Sequence, residues 1–106
     1  MIAADASAEF FDALGDPSRL RIVIWLSGTG PSSTLTLAHA IPATRQAATK
    51  HLLVLESAGV VGSEKRGRER IWALRAESLA AAGRYLDILS QRWDRRVDRL
   101  RALVED

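Results

Sequence analysis

The chain has no cysteine among its 106 residues. No disulfide, thiolate nucleophile, cysteine-ligated zinc or thiol redox sensor can be built from it, and the composition suits a reducing compartment. Histidine is nearly as scarce, with His39 and His51 alone. These two fall on different predicted helices, lack the i, i+4 spacing of a zinc-binding pair and have no nucleophile beside them, so neither a metal site nor acid–base catalysis is expected. Asp87, Asp94 and Asp98 on the last helix stand without an imidazole and would hold a hard cation only weakly. The P-loop, GxGxxG and HExxH patterns are missing too,. An apolar fraction of 47% and a charged fraction of 26% suggest neither disorder nor a membrane protein. The opening MIAADASAEFF has neither the basic start nor the apolar run of an export signal. The expectation is one cytoplasmic domain that is not an enzyme and carries no cofactor.

What is present is positive charge in the middle of the chain. The net charge is only +2, yet residues 44–75 carry seven Lys/Arg against three acids, residues 1–43 two against four, and residues 76–106 six against six. A basic middle third is the footprint expected for a polyanion, because each phosphate neutralised releases condensed counterions. It is also what a solvated basic surface looks like.

Asp5 to Leu14 places Ala6, Phe10, Phe11, Ala13 and Leu14 at helical spacing, with Gly15 as a stop. Asp16-Pro17 signals the next start, Asp16 as N-cap and Pro17 in the first helical position. Leu20, Ile22, Val23, Ile24, Trp25 and Leu26 then make a helix apolar on nearly every side, expected to be wrapped by others and ended by a loop from Gly28 to Ser33. Thr34 is expected to cap a short helix through Ile41, and Ser7 and Ser18 also read as caps or helix-start residues. Pro42 and Ala43 turn the chain before Thr44, the N-cap of a fourth helix whose Ala48, Leu52 and Leu55 recur on one inward stripe. Two short helices around a turn make a helix-turn-helix. Ala58-Gly59 ends the fourth helix. Val60-Val61 and Ile71 to Leu74 read as short strands joined by Glu64 to Glu69, with the bend at Gly67.

From Ser78 onward Leu79, Ala82, Leu86, Leu89, Trp93, Val97, Leu100 and Val104 keep three- and four-residue spacing over about seven helical turns. A small domain cannot cover so long an apolar stripe by itself. A second copy of the chain is the expected cover, with a helix folded back on its own domain as the other option. The fold class is mainly α with a small β-hairpin, divided into N-terminal helices (1–33), a helix-turn-helix (34–59), a hairpin (60–75) and a C-terminal dimerisation helix (76–106).

Thr44, Arg45, Gln46, Thr49 and Lys50 gather at the entry end of the fourth helix, the end that meets base edges when a helix enters the major groove. Arg45 suits guanine, Gln46 adenine, and Thr49 and Lys50 either a base edge or a phosphate. Lys65, Arg66 and Arg68 cluster about Gly67, where a turn projecting charge suits phosphates. Arg70 alternates with Trp72 and Leu74, which leaves open both a pairing with Glu64 across the hairpin and a contact to DNA. Each residue alone is what any solvated face carries. Together, a capped polar helix end, a basic hairpin and a pairing stripe point to double-stranded DNA as partner. The alternative is a helical protein-interaction module that uses the same fold without DNA.

In order of elements and in local wording the sequence resembles the ArsR/SmtB family of bacterial winged-helix repressors. ALGDPSRLRIVIWL (13–26) is similar to the family's opening helix pair, TRQAATKHLLVLESAGVV (44–61) to its recognition helix and exit, and KRGRERIWAL (65–74) to its wing. The resemblance implies a winged helix-turn-helix that dimerises through its first and last helices, with Phe10, Leu86, Leu89, Trp93, Val97 and Leu100 at the interface. It also implies operator binding and repression, with the groove-facing role on Thr44, Arg45, Gln46, Thr49 and Lys50 and the wing role on Arg66 and Arg68. His51 matches a recurrent histidine of that helix. The metal-sensing residues of many members, a Cys-containing pair or Asp and His on the last helix, are missing here, so the wording is closer to the metal-independent branch. A small-molecule effector of unknown identity stays open.

Overall fold

The computed structural model describes residues 2–105. Its first two helices, α1 (Ile2–Leu14) and α2 (Pro17–Thr29), meet at a link whose chemistry accounts for the wording GDPSR. The Asp16 carboxylate accepts from the backbone N–H of Ser18 at 2.8 Å and of Arg19 at 3.1 Å, satisfying two of the donors that a helix start leaves free. The N–H of Arg19 is the chief cause holding this carboxyl below its ordinary range; the N–H of Ser18 and the charge of Arg19 add to it. Arg19 also reaches back, its Nε donating to the Ala13 carbonyl at 2.7 Å, so one short link closes the end of α1 and the start of α2.

The rest of the chain runs β1 (Ser32–Ser33), α3 (Thr34–Ala40), α4 (Arg45–Ser57), β2 (Val61–Arg66), β3 (Glu69–Leu74) and α5 (Ala76–Glu105). The three strands form an antiparallel sheet in the order β1-β3-β2. A stop at the end of α4 sets up the hairpin. Gly59 has φ +76°, Val60 N–H bonds to the Leu55 carbonyl at 2.9 Å and Gly59 N–H to that of Glu56 at 3.0 Å, the paired bonds of a Schellman end. The chain thus leaves α4 directly into β2.

Several expectations need correction. The helix α1 starts three residues earlier than Asp5, which leaves Ser7 in mid-helix and buried rather than at a cap. The helix α2 runs on to Thr29, and Ser32-Ser33, expected as loop, pair with Trp72 and Ile71. The cap of α3 is Ser33, whose hydroxyl accepts from Thr36 N–H; Thr34 is already helical and its Oγ1 accepts from the Trp72 indole Nε1 at 2.9 Å. Nor is α2 wrapped on all sides. Ile22, Val23 and Leu26 are buried, but Leu20, Ile24 and Trp25 are not, Ile24 being 61% exposed, because the core meets one face of the helix only. Finally, Glu64 to Glu69 is not a loop: β2 and β3 pair without a break from Val61↔Leu74 to Arg66↔Glu69.

The core centres on Trp72, 1% exposed, with Ile22, Leu37, Leu52, Leu55, Val60 and Val61 around it. Phe10 belongs to this core. It is 4% exposed and meets Phe11 edge to face at 5.7 Å. Beyond Ala82, no described residue of α5 is fully buried. Leu86, Leu89, Trp93 and Leu100 all stand exposed, and the radius of gyration is 17.8 Å, against about 13 Å for a compact chain of this length. None of the helices among the described residues is long and apolar enough to cross a membrane.

Candidate nucleic-acid interface

The entry end of α4 is held from beneath and open on top. The Thr44 hydroxyl accepts from Ala47 N–H at 3.0 Å, and Ala48, Leu52 and Leu55 are wholly buried, which fixes the rotation of the helix about its axis. Arg45, Gln46 and Lys50 are left exposed and Thr49 half-buried. The Thr49 hydroxyl donates to the Arg45 carbonyl at 2.8 Å, so its proton is committed to the helix. It can offer an outside group its oxygen as acceptor and its methyl, but not a donor. Further along the helix Leu53 and Val54 are also exposed, so the polar set at the entry end spans about two turns.

The hairpin beside it closes in a tight turn. Gly67-Arg68 form a two-residue connection in which Gly67 has φ +62° and Arg68 stays at negative φ, the pattern of a type II′ turn that matches the twist of the flanking strands. Arg66 Nε lies 2.9 Å from Glu64 Oε1, both side chains well exposed. Such a pair is worth little and can give way to a phosphate. Among the described residues no ion pair involves Arg45, Lys50, Lys65 or Arg68.

Arg70 shares its face of the hairpin with Lys65, its direct cross-strand partner, whereas Glu64 stands opposite Ile71. The pairing with Glu64 is therefore excluded by register. Arg70 Nη1 instead donates to Ser63 Oγ at 2.9 Å, and that hydroxyl donates to Glu56 Oε2 on α4 at 3.1 Å. Nothing in the sequence marks Ser63 and Glu56 as partners; only the register brings them together.

Of the two histidines, His51 has its Nδ1 3.9 Å from Asp16 Oδ1, tying α4 to the start of α2, and His39 is exposed near the end of α3. Among the described residues no group of three or more His, Asp or Glu is placed to hold a metal ion. A cavity of about 400 Å³ opens between α1 and α5, lined mainly by apolar atoms of Phe10, Ala82, Tyr85 and Ile88 with Ser7 at its wall.

No family model matches the chain. Over 75 residues, 65% of this chain and 82% of the relative, it is 37% identical to the uncharacterized HTH-type transcriptional regulator YuzN of Bacillus subtilis (strain 168). Its structure is similar to that of an ArsR-like transcriptional regulator from Rhodococcus sp. RHA1, with a TM-score of 0.81 and 32% identity over 97% of this chain and 96% of that one. The homodimeric winged helix-turn-helix DNA-binding domain of a possible ArsR-family regulator from Mycobacterium bovis shares the fold, with a TM-score of 0.67 and 22% identity over 91% of this chain and 85% of that one.

Proposed function

The chain belongs to the ArsR family of transcriptional regulators, and we propose that it works as a homodimeric repressor whose two α4 helices enter successive major grooves of an inverted repeat. The observation that carries this reading is α4 itself, anchored by wholly buried Ala48, Leu52 and Leu55 with Arg45, Gln46 and Lys50 standing free in solvent at its capped end. In this reading Thr44, Arg45, Gln46, Thr49 and Lys50 meet the groove. Lys65, Arg66 and Arg68 meet flanking phosphates, and Arg70 does not touch DNA.

Dimerisation is supported by the exposed stripe Leu86, Leu89, Trp93 and Leu100, with half-buried Val97 in line. The Mycobacterium bovis domain of the same fold is homodimeric. Pairing of this kind places two half-sites about 10–11 bp apart, or a multiple of that. The cavity against α5 is large enough for a small apolar effector, which would act on the helix that pairs the subunits.

Titration of the protein with the DNA upstream of its own gene, at several salt concentrations, tests the reading. Specific affinity should exceed that for a scrambled duplex and fall with salt; a protein that fails on both counts is not an operator-binding regulator of this kind. Arg45→Ala should cost about 1–3 kcal/mol at particular base pairs, while Arg68→Ala should weaken all duplexes alike and flatten the salt slope by about one. Equal loss on every duplex for both variants would remove the division between reading helix and phosphate-gripping hairpin.

A further inference from the structure

The hairpin and the recognition helix are covalently joined only through the stop at Gly59, yet a second link bridges them farther out. Arg70 Nη1 donates to Ser63 Oγ and Ser63 Oγ donates to Glu56 Oε2, so one hydroxyl spends its proton and a lone pair between a cation on β3 and an anion in the last turns of α4. Both ends are charged, which makes these the stronger class of hydrogen bond. The register adds a reason for the link. Arg70 sits directly across from Lys65, and like charges so placed destabilise a hairpin unless a counter-charge draws one of them away. Glu56, reached through Ser63, is that counter-charge.

Resting on the DNA-reading role proposed above, we infer that Glu56, Ser63 and Arg70 are positioning residues: they brace the hairpin against α4 and so set the distance between the groove-reading helix and the phosphate-gripping turn. None of the three needs to touch DNA for this. Arg68 at the tip and Lys65 on the inner face then meet the backbone at a spacing fixed before binding, and the cost of ordering the hairpin is not charged to the complex.

The roles can be separated by sign. Ser63→Ala changes no charge and removes both bonds, so a brace predicts a roughly 3- to 10-fold loss of specific affinity with an unchanged salt slope. Glu56→Gln removes a negative charge close to the DNA. A solvated carboxylate would give tighter binding when neutralised, whereas the brace gives weaker binding. Arg70→Ala should lose affinity by a similar factor, and the Arg70→Ala/Glu56→Gln double variant should lose no more than either alone. A salt slope lowered by about 0.9 in Arg70→Ala would instead make Arg70 a phosphate contact and overturn the proposal. Amide hydrogen exchange of residues 64–70 in the DNA-free protein supplies the independent readout. Faster exchange in Ser63→Ala supports the brace even if the parent protein binds no operator, and unchanged exchange sinks it even if DNA binding is confirmed.

Discussion

Trp72→Ala is expected to lower the unfolding free energy by about 3–5 kcal/mol, the range for emptying a buried aromatic site. Trp72 is 1% exposed at the centre of the core, and its indole N–H closes a 2.9 Å bond on Thr34 at the start of α3. Its own strand carries the pairing of Ser32 and Ser33 on one side and of β2 on the other. The substitution thus loosens the sheet, the hairpin and the helix-turn-helix together. A chain of this length has about 5–15 kcal/mol in hand, so much of the stability goes with one ring, and the melting point should fall by more than about 12 °C at roughly 4–8 °C per kcal/mol. Trp72→Phe keeps most of the apolar burial but strands the Thr34 hydroxyl, for about 1–3 kcal/mol. Denaturant titration at fixed protein concentration measures both. A loss under about 1 kcal/mol for the alanine variant would show that the ring is not what joins these elements.

The double substitution Leu89→Glu with Trp93→Glu should halve the mass in light scattering and reduce operator affinity by about 100- to 10,000-fold, the factor that linking two heads supplies. Both side chains are exposed in the protomer, Trp93 by 66%, so the carboxylates disturb no packing within it and the melting curve of the isolated subunit should survive. Binding to a single half-site should be left as it is. A mass that stays at the parent value would move the pairing surface off this part of α5.

Much of this architecture was written locally. Thr44 as cap, the stripe Ala48, Leu52 and Leu55, and the stop at Gly59 are all decided within one or two helical turns, so the bounds of α4 and its open face followed from spacing and cap chemistry. Asp16-Pro17 was legible for the same reason. The misses lie where the deciding partner is remote. Ser32-Ser33 have the composition of a turn and become a strand only because the edge of β3 is there to pair with. Glu64 to Arg66 show no apolar alternation, since that half of the hairpin faces solvent on both sides and its pairing is carried by backbone bonds extended from Val61. Thr34 looked like a cap because it precedes apolar residues, but a tryptophan 38 positions on takes its hydroxyl. Phe10 and the α5 residues belong to similar apolar stripes, and periodicity cannot say which stripe the chain buries in itself. The polar residues at the entry end of α4, proposed to face the groove, were legible as a set. The relay through Ser63 was not, because it depends on a register one residue away from the one that would pair Arg70 with Glu64.

The chain's three tryptophans occupy three different surroundings: Trp72 in the core, Trp25 37% exposed with its Nε1 3.3 Å from Ser32 Oγ, and Trp93 66% exposed on the outer part of α5. An indole in water emits at longer wavelength than one in apolar surroundings, so the molecule carries its own colour-coded gauges. With Trp25 and Trp72 replaced by phenylalanine, emission from Trp93 should move to shorter wavelength as protein concentration rises through the pairing equilibrium, and a wavelength independent of concentration would place that indole outside any contact. With Trp72 kept alone, emission should hold still through pairing and shift only on unfolding. Assembly and folding, which most probes blur together in a small dimer, can be read here as two separate optical signals.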